Sequence, residues 1–342
     1  MIYLMVSLMF EKIFIEKNIL NTDKVKQILN FFPTSPSFEI DSIDDYFGRM
    51  KKPYLQKRES LYLYLGEKKG QLVKTAPNAY GLSGEPHYYY VHAFNCIYEC
   101  DYCYLQGYFH SPDIVLFLNH EEIGQEIRNI ANSHLDTHPW FHAGEYSDSL
   151  ALSHISGEIP FYFDLFQKLP HAYLELRTKS INVKEILKQL PLENVITSFS
   201  LSPAKRAREN DLKTPGTKAR LDAIEKLHAN SFPIGIHFDP IIFDHNLLEE
   251  YRELIEDLNK SIPLTNVRYI SLGVVRFTKD VYHQVQKNYP NSNLLNQEFI
   301  KSFDNKIRYP KPMRMWMMQK IKSILIEYGM DAEKIYLCME EE

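Results

Sequence analysis

From about residue 86 onward, short runs of β-favouring residues alternate with longer stretches of helical periodicity. Strands are predicted at residues 87–93, 140–143, 172–177, 195–201, 233–238 and 268–275. Helices are predicted between them at residues 121–133, 159–168, 183–189, 217–230 and 247–258. Strands and helices that alternate at this pace indicate parallel strands joined by crossover helices.

The apolar residues of the helix predicted at 217–230 share one stripe, as in an amphipathic helix: Ala219, Ala223, Ile224 and Leu227. About six strand–helix units predict an α/β fold in the form of an open, partial (β/α)6 barrel rather than a flat doubly wound sheet. In barrels of this kind, chemistry takes place at the carboxyl ends of the strands.

Two regions are expected. Residues 1–85 form a small N-terminal α/β extension, and residues 86–342 form the barrel domain with C-terminal hairpin and helix elements. Within the extension, a strand is predicted at 12–16 and a helix at 22–32, followed by a Lys- and Arg-bearing segment at 51–58. The stretch 66–84, rich in Gly, Lys, Pro and Ser, is typical of a linker.

The composition is that of a soluble globular protein: 44% of the 342 residues are hydrophobic and 24% are charged. A formal net charge of -5 gives no global electrostatic case for nucleic-acid binding, so any such surface has to be local. The apolar run 1–10 lacks the features of a signal peptide and is too short to span a bilayer, and Met9 would serve equally well as a start. We therefore expect a cytoplasmic protein without a membrane segment.

Three of the four cysteines, Cys96, Cys100 and Cys103, fall within eight residues, and Cys338 lies near the C-terminus. A secreted disulfide framework would spread cysteines in pairs, so this cluster indicates metal binding. A [4Fe–4S] cluster usually takes four thiolates. Three thiolates leave one iron open to the amino and carboxylate groups of an amino acid, which would place a sulfonium beside an electron donor.

The same cysteines admit a second interpretation, a zinc site completed by a histidine such as His92 or His110. The C-x3-C-x2-C spacing is unusual for zinc knuckles. It therefore favours the iron–sulfur cluster.

This spacing, with Tyr102 before the last cysteine, resembles the signature of the radical S-adenosylmethionine superfamily. The run 101–106 (DYCYLQ) is similar to a run of the spore photoproduct lyase family. Further short matches to that family follow in order at 147–148, 177–179, 198–200, 215–217, 220–221, 240–241, 276–279 and 289–290. The resemblance extends from roughly residue 86 to 310, and more weakly through the N-terminal part.

The resemblance implies a lyase-type enzyme in which the three clustered cysteines hold a [4Fe–4S] cluster. A reducing protein such as a flavodoxin or ferredoxin would supply electrons, and cleavage of S-adenosylmethionine would give a 5′-deoxyadenosyl radical. The resemblance further implies DNA or another nucleic acid as substrate. A pyrimidine lesion in a duplex would be flipped into the barrel mouth.

The match breaks at one functional position. The family uses a further cysteine after the second barrel strand as hydrogen donor, and alignment on Ser147 and Asp148 puts Glu145 there. A carboxylate cannot give up a hydrogen atom as a thiol does. Residues 143–145 instead look like the Gly-Gly-Glu motif of other superfamily members, where the turn accepts a hydrogen bond from the cofactor's ammonium. An ordinary β–α turn with a surface Glu is the alternative.

The resemblance also assigns cofactor-binding positions to Tyr102, Ser147, Lys179, Ser200 and Asp239. Lys179 and Ser200 match positions near the carboxylate and the ribose of the cofactor. A solvated charge after a strand and a simple helix cap are the alternatives for these two residues.

Two residues are candidates for hydrogen-atom chemistry. Tyr104 matches a tyrosine that the family places beside its donor cysteine, and it either relays hydrogen atoms or packs on the cluster. Cys338, in the apolar run 335–339, is a candidate substitute donor. Buried free cysteines usually behave as small hydrophobes, which is the alternative for Cys338.

The stretch 306–314 (KIRYPKPMR) interleaves aromatic and proline residues with the cations Lys306, Arg308, Lys311 and Arg314. It falls where the family carries a hairpin that engages DNA, and its pattern suits phosphate contacts together with stacking on bases. A second basic segment lies at 205–208. Solvated loop charge is the alternative for both segments.

Three functions are compatible with these observations. The first is a radical enzyme of this family that acts on nucleic acid. The second keeps the radical chemistry but acts on a modified nucleotide, a small molecule or a peptide, and both Glu145 and the acidic net charge favour it. The third is a non-catalytic, metal-stabilised binding module.

Overall fold

The computed structural model describes residues 10–47, 60–77, 84–109 and 111–340. The N-terminal part contains strand β1 (Phe10–Glu16), helix α1 (Asp23–Leu29), and strands β2 (Ser37–Ile40) and β3 (Leu61–Gly66). The strand and the helix predicted at 12–16 and 22–32 are therefore confirmed. The basic segment 51–58 lies outside the described residues.

The elements from residue 73 to 200 alternate strands and helices. They are β4 (Val73–Thr75), β5 (His87–Tyr90), β6 (Ala93–Phe94), β7 (Ile114–Phe117), α2 (His120–Asn132), β8 (Trp140–Ala143), α3 (Ser153–Ser156), α4 (Ile159–Gln167), β9 (Tyr173–Thr178) and β10 (Val195–Ser200).

The later elements continue the alternation and add a short hairpin. They are α5 (Ala204–Asn210), α6 (Thr217–Ala229), β11 (Ile234–Ile241), α7 (Leu247–Ser261), β12 (Ile270–Val274), β13 (Arg276–Phe277), α8 (Lys279–Asn288), β14 (Ile300–Lys301), β15 (Ile307–Arg308), α9 (Lys311–Glu327) and β16 (Ile335–Leu337).

The larger sheet has eight strands in the order β16-β12-β11-β10-β9-β8-β5-β4 and curls into an open half-barrel. All neighbouring pairs are parallel except β4 with β5, which are antiparallel. The six predicted strands are neighbours in chain order, so the predicted partial barrel is confirmed, and β16 extends it by one more parallel strand. Helices bury the outer face of this sheet, as α7 does with Leu254, Ile255 and Leu258.

A second sheet of five strands has the order β2-β1-β3-β7-β6. Strands β6 and β7 come from residues after 86, and they flank the segment that carries the three clustered cysteines. The predicted boundary at residues 85 and 86 therefore does not separate the two sheets. One face of this sheet packs on α1, and its other face covers the back of Cys96 and Cys103.

Two sequence predictions need correction. The helix expected at 183–189 is only a single 3-10 turn, Ile186–Lys188. The stretch is short, and Pro191 holds the residue before it in an extended conformation, so a longer helix is not supported. The linker expected at 66–84 contains strand β4, which pairs with β5.

A third, antiparallel sheet of three short strands, in the order β13-β15-β14, lies near the end of the chain. Helix α9 follows it and packs against α7 and β12. Among residues 10–47, 60–77, 84–109 and 111–340, no helix is both long enough and apolar enough to cross a bilayer.

Candidate active site

A cavity of about 180 Å³ lies between the cysteine loop (residues 96–103) and the carboxyl ends of β8, β9 and β10. Nine residues that the sequence singled out line it together: Cys96, Cys100, Tyr102, Cys103, Tyr104, Glu145, Ser147, Lys179 and Ser200. The other six lie elsewhere: Asp239, Lys306, Arg308, Lys311, Arg314 and Cys338. The cavity occupies the end of the half-barrel where chemistry was expected.

Side chains from distant parts of the chain hold the cysteine loop in place. The Asp101 carboxylate accepts hydrogen bonds from Asn210 Nδ2 at 2.9 Å and from Ser292 Oγ at 2.6 Å. Gln106 Nε2 donates to the carbonyls of Cys100 at 3.2 Å and Asp101 at 2.8 Å. The loop is therefore fixed before any ligand binds.

The three thiols are held in their neutral form by burial, which a bound metal ion would reverse. Burial raises the pKa of Cys96 well above its ordinary value, that of Cys100 to about 12, and that of Cys103 as well. Iron would offset this cost, because a bound metal ion deprotonates a coordinating thiol. Each cysteine of a [4Fe–4S] cluster binds a different iron, so three thiols spread along one cavity wall fit such a cluster.

The zinc alternative finds less support in the geometry. Among the described residues, no group of three or more His, Cys, Asp or Glu side chains converges as the ligands of one metal ion. The His92 side chain is 7% exposed and lies with Nδ1 3.8 Å from Glu158 Oε1. His110 lies outside the described residues.

A buried ion pair connects the cysteine loop to the end of β10. Tyr102 donates its hydroxyl to the Asp211 carboxylate, which also pairs with Arg220 Nη1 at 2.9 Å. The same Nη1 donates to the Ser200 carbonyl at 2.9 Å. The Lys179 ammonium lies 5.5 Å from the centre of the Tyr102 ring. Burial alone would lower the pKa of Lys179, but electrostatic interactions with Cys100 and Asp211 raise it above its ordinary value.

The turn after β8 brings Glu145 to the cavity. Gly144 has a φ of +90°, and a Cβ there would lie 2.7 Å from Ser149 Oγ, so the turn requires glycine. Asp148 closes the turn: its carboxylate accepts hydrogen bonds from Thr178 Oγ1 at 2.6 Å and from the Lys179 amide at 2.7 Å. Asp148 thus connects the turn after β8 to the end of β9. This connection fixes the turn that carries Glu145 beside the strand end that carries Lys179.

Tyr104 lines the cavity but is 40% exposed, and its ring contacts that of Tyr108 at 6.3 Å. Tyr108 in turn donates its hydroxyl to that of Tyr146 at 3.1 Å. Tyr104 therefore belongs to a group of tyrosines that extends away from the cavity towards the five-stranded sheet.

Asp239 and Cys338 lie together on the far side of the half-barrel. Arg276 connects them, with Nη1 3.9 Å from Asp239 Oδ1 and Nη2 3.8 Å from Cys338 Sγ. Burial raises the pKa of the Cys338 thiol. Both residues occupy carboxyl ends of barrel strands, yet neither lines the cavity, so their proposed roles stay predictions.

Lys306, Arg308, Lys311 and Arg314 lie in different elements: Lys306 is in the turn of the β14–β15 hairpin, Arg308 belongs to β15, and Lys311 and Arg314 belong to α9. Both arginines are buried on Glu340: Arg308 Nη1 lies at 3.4 Å and Arg314 Nε at 2.5 Å. Glu340 lies 32 residues from Arg308 and 26 residues from Arg314 in sequence, and Arg308 Nη2 also pairs with Asp304 Oδ2 at 3.0 Å. Phosphate contacts stay a prediction for Lys306 and Lys311.

The hairpin of β14 and β15 presents a residue that sequence reasoning missed. Phe303 at its tip is 98% exposed, and Ile300 beside it is 46% exposed. Lys301 and Lys306 flank this apolar tip. In the sequence, Phe303 is a single aromatic residue in a polar stretch, and nothing there indicates that its ring is exposed at the tip of a hairpin.

Sequence reasoning also missed polar residues inside the half-barrel. His142 and Arg177 line the cavity, and Glu175 lies buried below them. The available signal was a pair of charged residues at alternate positions of β9, which places both on the same face of a strand.

An open parallel half-barrel with a three-cysteine loop beside the carboxyl ends of its strands defines the radical S-adenosylmethionine class of proteins. Comparison with known proteins narrows this class. The family model for spore photoproduct lyase matches residues 82–328, and the chain therefore belongs to the spore photoproduct lyase family.

One curated relative is the spore photoproduct lyase of Bacillus subtilis (strain 168), which is 26% identical over 205 residues. The match spans 59% of this chain and 60% of that protein. Among solved structures, a spore photoproduct lyase double mutant with bound AdoMet and dinucleoside spore photoproduct has a TM-score of 0.79 at 17% identity, covering 97% of this chain and 99% of its own. A spore photoproduct lyase complexed with dinucleoside spore photoproduct gives 0.77 at 16% identity, covering 97% and 98%. These likenesses show the shared fold.

Proposed function

We propose that this protein is a radical S-adenosylmethionine enzyme of the lyase type that acts on a pyrimidine photoproduct in nucleic acid. The observation that carries the proposal is the single cavity in which the three clustered cysteines meet Glu145 and Lys179. A [4Fe–4S] cluster and S-adenosylmethionine, when bound there, would supply a 5′-deoxyadenosyl radical.

The residues of the cavity divide the work of binding. Cys96, Cys100 and Cys103 would hold three irons and leave the fourth to the amino acid part of S-adenosylmethionine. The Glu145 carboxylate would accept a hydrogen bond from the cofactor's ammonium, and the Lys179 ammonium would face its carboxylate. Ser147 and Ser200, with Tyr102, would complete the walls around the cofactor. The protein orients the reactants and excludes water.

Nucleic acid as substrate is supported by the hairpin and by the family. Related structures contain dinucleoside spore photoproduct. In this chain, the exposed Phe303 offers a stacking surface on a hairpin that also carries Lys301, and proteins hold unpaired bases by stacking together with positive charge. Lys306, on the same hairpin, pairs with Asp304 at 3.8 Å. Flipping a base out of a duplex costs least where pairing is already damaged.

A second candidate keeps the radical chemistry and changes the substrate to a modified nucleotide, a small molecule or a peptide. Glu145 favours this second candidate, because its carboxylate lines the cavity at the position where the resemblance to the family would place a donor thiol. In either case a reducing protein such as a flavodoxin or ferredoxin would deliver the electron.

The test is anaerobic reconstitution with iron and sulfide, followed by incubation with S-adenosylmethionine, a reductant and ultraviolet-irradiated DNA. Release of 5′-deoxyadenosine together with loss of the photoproduct would support repair. Release of 5′-deoxyadenosine with the photoproduct intact would favour the second candidate. A reconstituted protein that never cleaves S-adenosylmethionine would leave only the non-catalytic, metal-stabilised module.

A further inference from the structure

The interior of the half-barrel below the cavity contains a layer of polar side chains centred on Glu175, which is 1% exposed. Its Oε1 accepts hydrogen bonds from Ser198 Oγ at 2.7 Å, His237 Nε2 at 2.6 Å and Tyr269 OH at 2.5 Å. Its Oε2 is bonded to His142 Nδ1. Four strands or strand ends thus converge on one carboxylate.

This carboxylate is ionised. Burial alone would raise the pKa of Glu175, but Arg177, His142 and His237 hold it well below its ordinary value. An ionised carboxylate only accepts hydrogen bonds, so His142 Nδ1 and His237 Nε2 must carry their protons. Burial lowers the pKa of His237, which favours its neutral form. The layer is therefore a rigid support with a fixed negative charge.

Arg177 stands directly above this support. It lies two residues after Glu175 on the same strand, and its Nη2 is 3.5 Å from Glu175 Oε2. That separation is longer than a strong hydrogen bond, while the other donors already satisfy the carboxylate. Glu175 therefore attracts and orients the guanidinium. The Arg177 side chain is 26% exposed and lines the cavity.

Asp148, an acidic residue of the cavity wall, is held by hydrogen bonds to its carboxylate. Its Oδ1 accepts from the amides of Leu150 and Ala151 at 2.9 Å and from Thr178 Oγ1 at 2.6 Å, and its Oδ2 accepts from the Lys179 amide at 2.7 Å. These bonds fix the Asp148 carboxylate between its own turn and the end of β9.

We propose that Arg177 binds an oxyanion of the ligand in this cavity and that Glu175 is its positioning residue. The planar guanidinium fork matches a carboxylate or a phosphate, and it binds best when its orientation is fixed in advance. Two ligands could carry the oxyanion: S-adenosylmethionine through its carboxylate, and nucleic acid through its phosphodiester. This inference rests on the proposed function.

The experiment measures binding by anaerobic isothermal titration of the reconstituted protein in two arms. The first compares S-adenosylmethionine with its neutral carboxamide analogue, and the second compares thymidylyl-thymidine with its neutral methylphosphonate analogue. In one arm the unmodified protein should prefer the charged ligand by about tenfold or more, the effect of one charge-assisted hydrogen bond. That arm identifies the source of the oxyanion.

Arg177→Met should abolish this preference, and Glu175→Gln should reduce it by several-fold. Adding Glu175→Gln to Arg177→Met should change the preference no further, because a positioning residue acts only through the group that it positions. Should Glu175→Gln fail to fold, Ser198→Ala and Tyr269→Phe each remove one donor to Glu175 and should each reduce the preference in part. Arg268→Met is the matched control, since Arg268 pairs with Glu193 at 2.6 Å near the amino ends of the strands.

Arg177→Met that keeps the preference in both arms would overturn the inference and leave the proposed function standing. Loss of the preference in Arg177→Met but not in any variant of the Glu175 layer would overturn the positioning role. An unmodified protein that binds neither S-adenosylmethionine nor thymidylyl-thymidine would overturn the proposed function and this inference together.

Discussion

Charged side chains have different surroundings on two sides of the half-barrel rim: the cysteine side, next to residues 96–103, and the C-terminal side, next to strands β13 to β15. On the cysteine side, backbone and hydroxyl donors hold the Asp148 carboxylate, while Lys179 and Arg177 reach a common cavity. On the C-terminal side, Arg308 and Arg314 are buried on Glu340, and an uncharged ring, Phe303, is left in solvent. Charged side chains therefore line the cavity on the cysteine side, whereas on the C-terminal side the two buried arginines are paired with Glu340.

The largest expected effect is loss of the cluster, which should follow from replacing a cysteine on the cysteine side but not Cys338 on the C-terminal side. Replacing Cys96, Cys100 or Cys103 by Ala should abolish the stable cluster, because three thiolates are the minimum set left for it. Iron and sulfide analysis after reconstitution should give about four of each in the unmodified protein and little in these variants. Cys338→Ala is the matched control and should retain the cluster. Equal loss in Cys338→Ala would erase the distinction between the two sides.

The buried pair on the C-terminal side should dominate stability. Arg314→Met should lower the free energy of unfolding by about 3 kcal/mol, because it leaves Glu340 short of a partner in a buried position. Lys311→Met on the same helix is exposed and should change it by less than about 0.5 kcal/mol. Urea unfolding of the metal-free protein measures both. Similar values for the two variants would mean that Arg314 is not buried as described.

On the cysteine side, Glu145→Gln should weaken binding of S-adenosylmethionine by about 1.5–3 kcal/mol, the range for a hydrogen bond to a charged group. The cluster itself should survive, as its absorbance would show. Glu99→Gln is the control, because Glu99 lies in the cysteine loop but pairs with Lys213 at 2.5 Å. Unchanged affinity in an anaerobic titration would make Glu145 an ordinary turn residue.

At the hairpin, Phe303→Ala should weaken binding of single-stranded DNA by about 1–3 kcal/mol, the contribution of one stacked base. Fluorescence anisotropy with a labelled oligonucleotide measures the change. Leu135→Ala removes another exposed apolar residue, one that is 70% exposed just before β8, and should have no effect. Equal losses in both variants would point to general stickiness rather than stacking.

The smallest effect should come from the remaining cations. Lys306→Ala with Lys311→Ala should reduce the slope of log affinity against log salt by at most about 1.4, roughly 0.7 for each phosphate contact with a single strand. Titrations of the same oligonucleotide at several salt concentrations give this slope. A slope that does not change would remove both lysines from the interface.

The sequence predicted some features of the fold and the site but not others, depending on how far apart in the chain the contacting residues lie. The order of the barrel strands follows from the local alternation of strands and helices. The family resemblance points to Glu145, Lys179 and Ser200, which lie at or just after the carboxyl ends of β8, β9 and β10. The groups that hold the cysteine loop, Asn210 and Ser292, lie 109 and 191 residues from Asp101. Contacts of that separation leave no periodic signal in one sequence.

The ion pairs of the arginines on the C-terminal side could not be predicted from the sequence either. The sequence indicates Arg308 and Arg314 as phosphate contacts, whereas in the fold Arg308 pairs with Asp304 and Glu340, and Arg314 pairs with Glu340. Inside the barrel, Glu175 and Arg177 stand at alternate positions of a predicted strand, and neither of them was assigned a role from the sequence. In both cases burial decided the role.

The five-stranded sheet has a consequence for how the protein is made. During synthesis β1, β2 and β3 leave the ribosome first, but the outer edge of β3 has its partner only when β7, Ile114–Phe117, has been added. Until then an apolar strand edge is open to pairing with other chains. The cysteine segment emerges just before β7, so the step that closes this edge also folds the segment back against the sheet. Truncated chains that end before residue 114 should therefore aggregate, and released chains that end beyond residue 117 should have this protection.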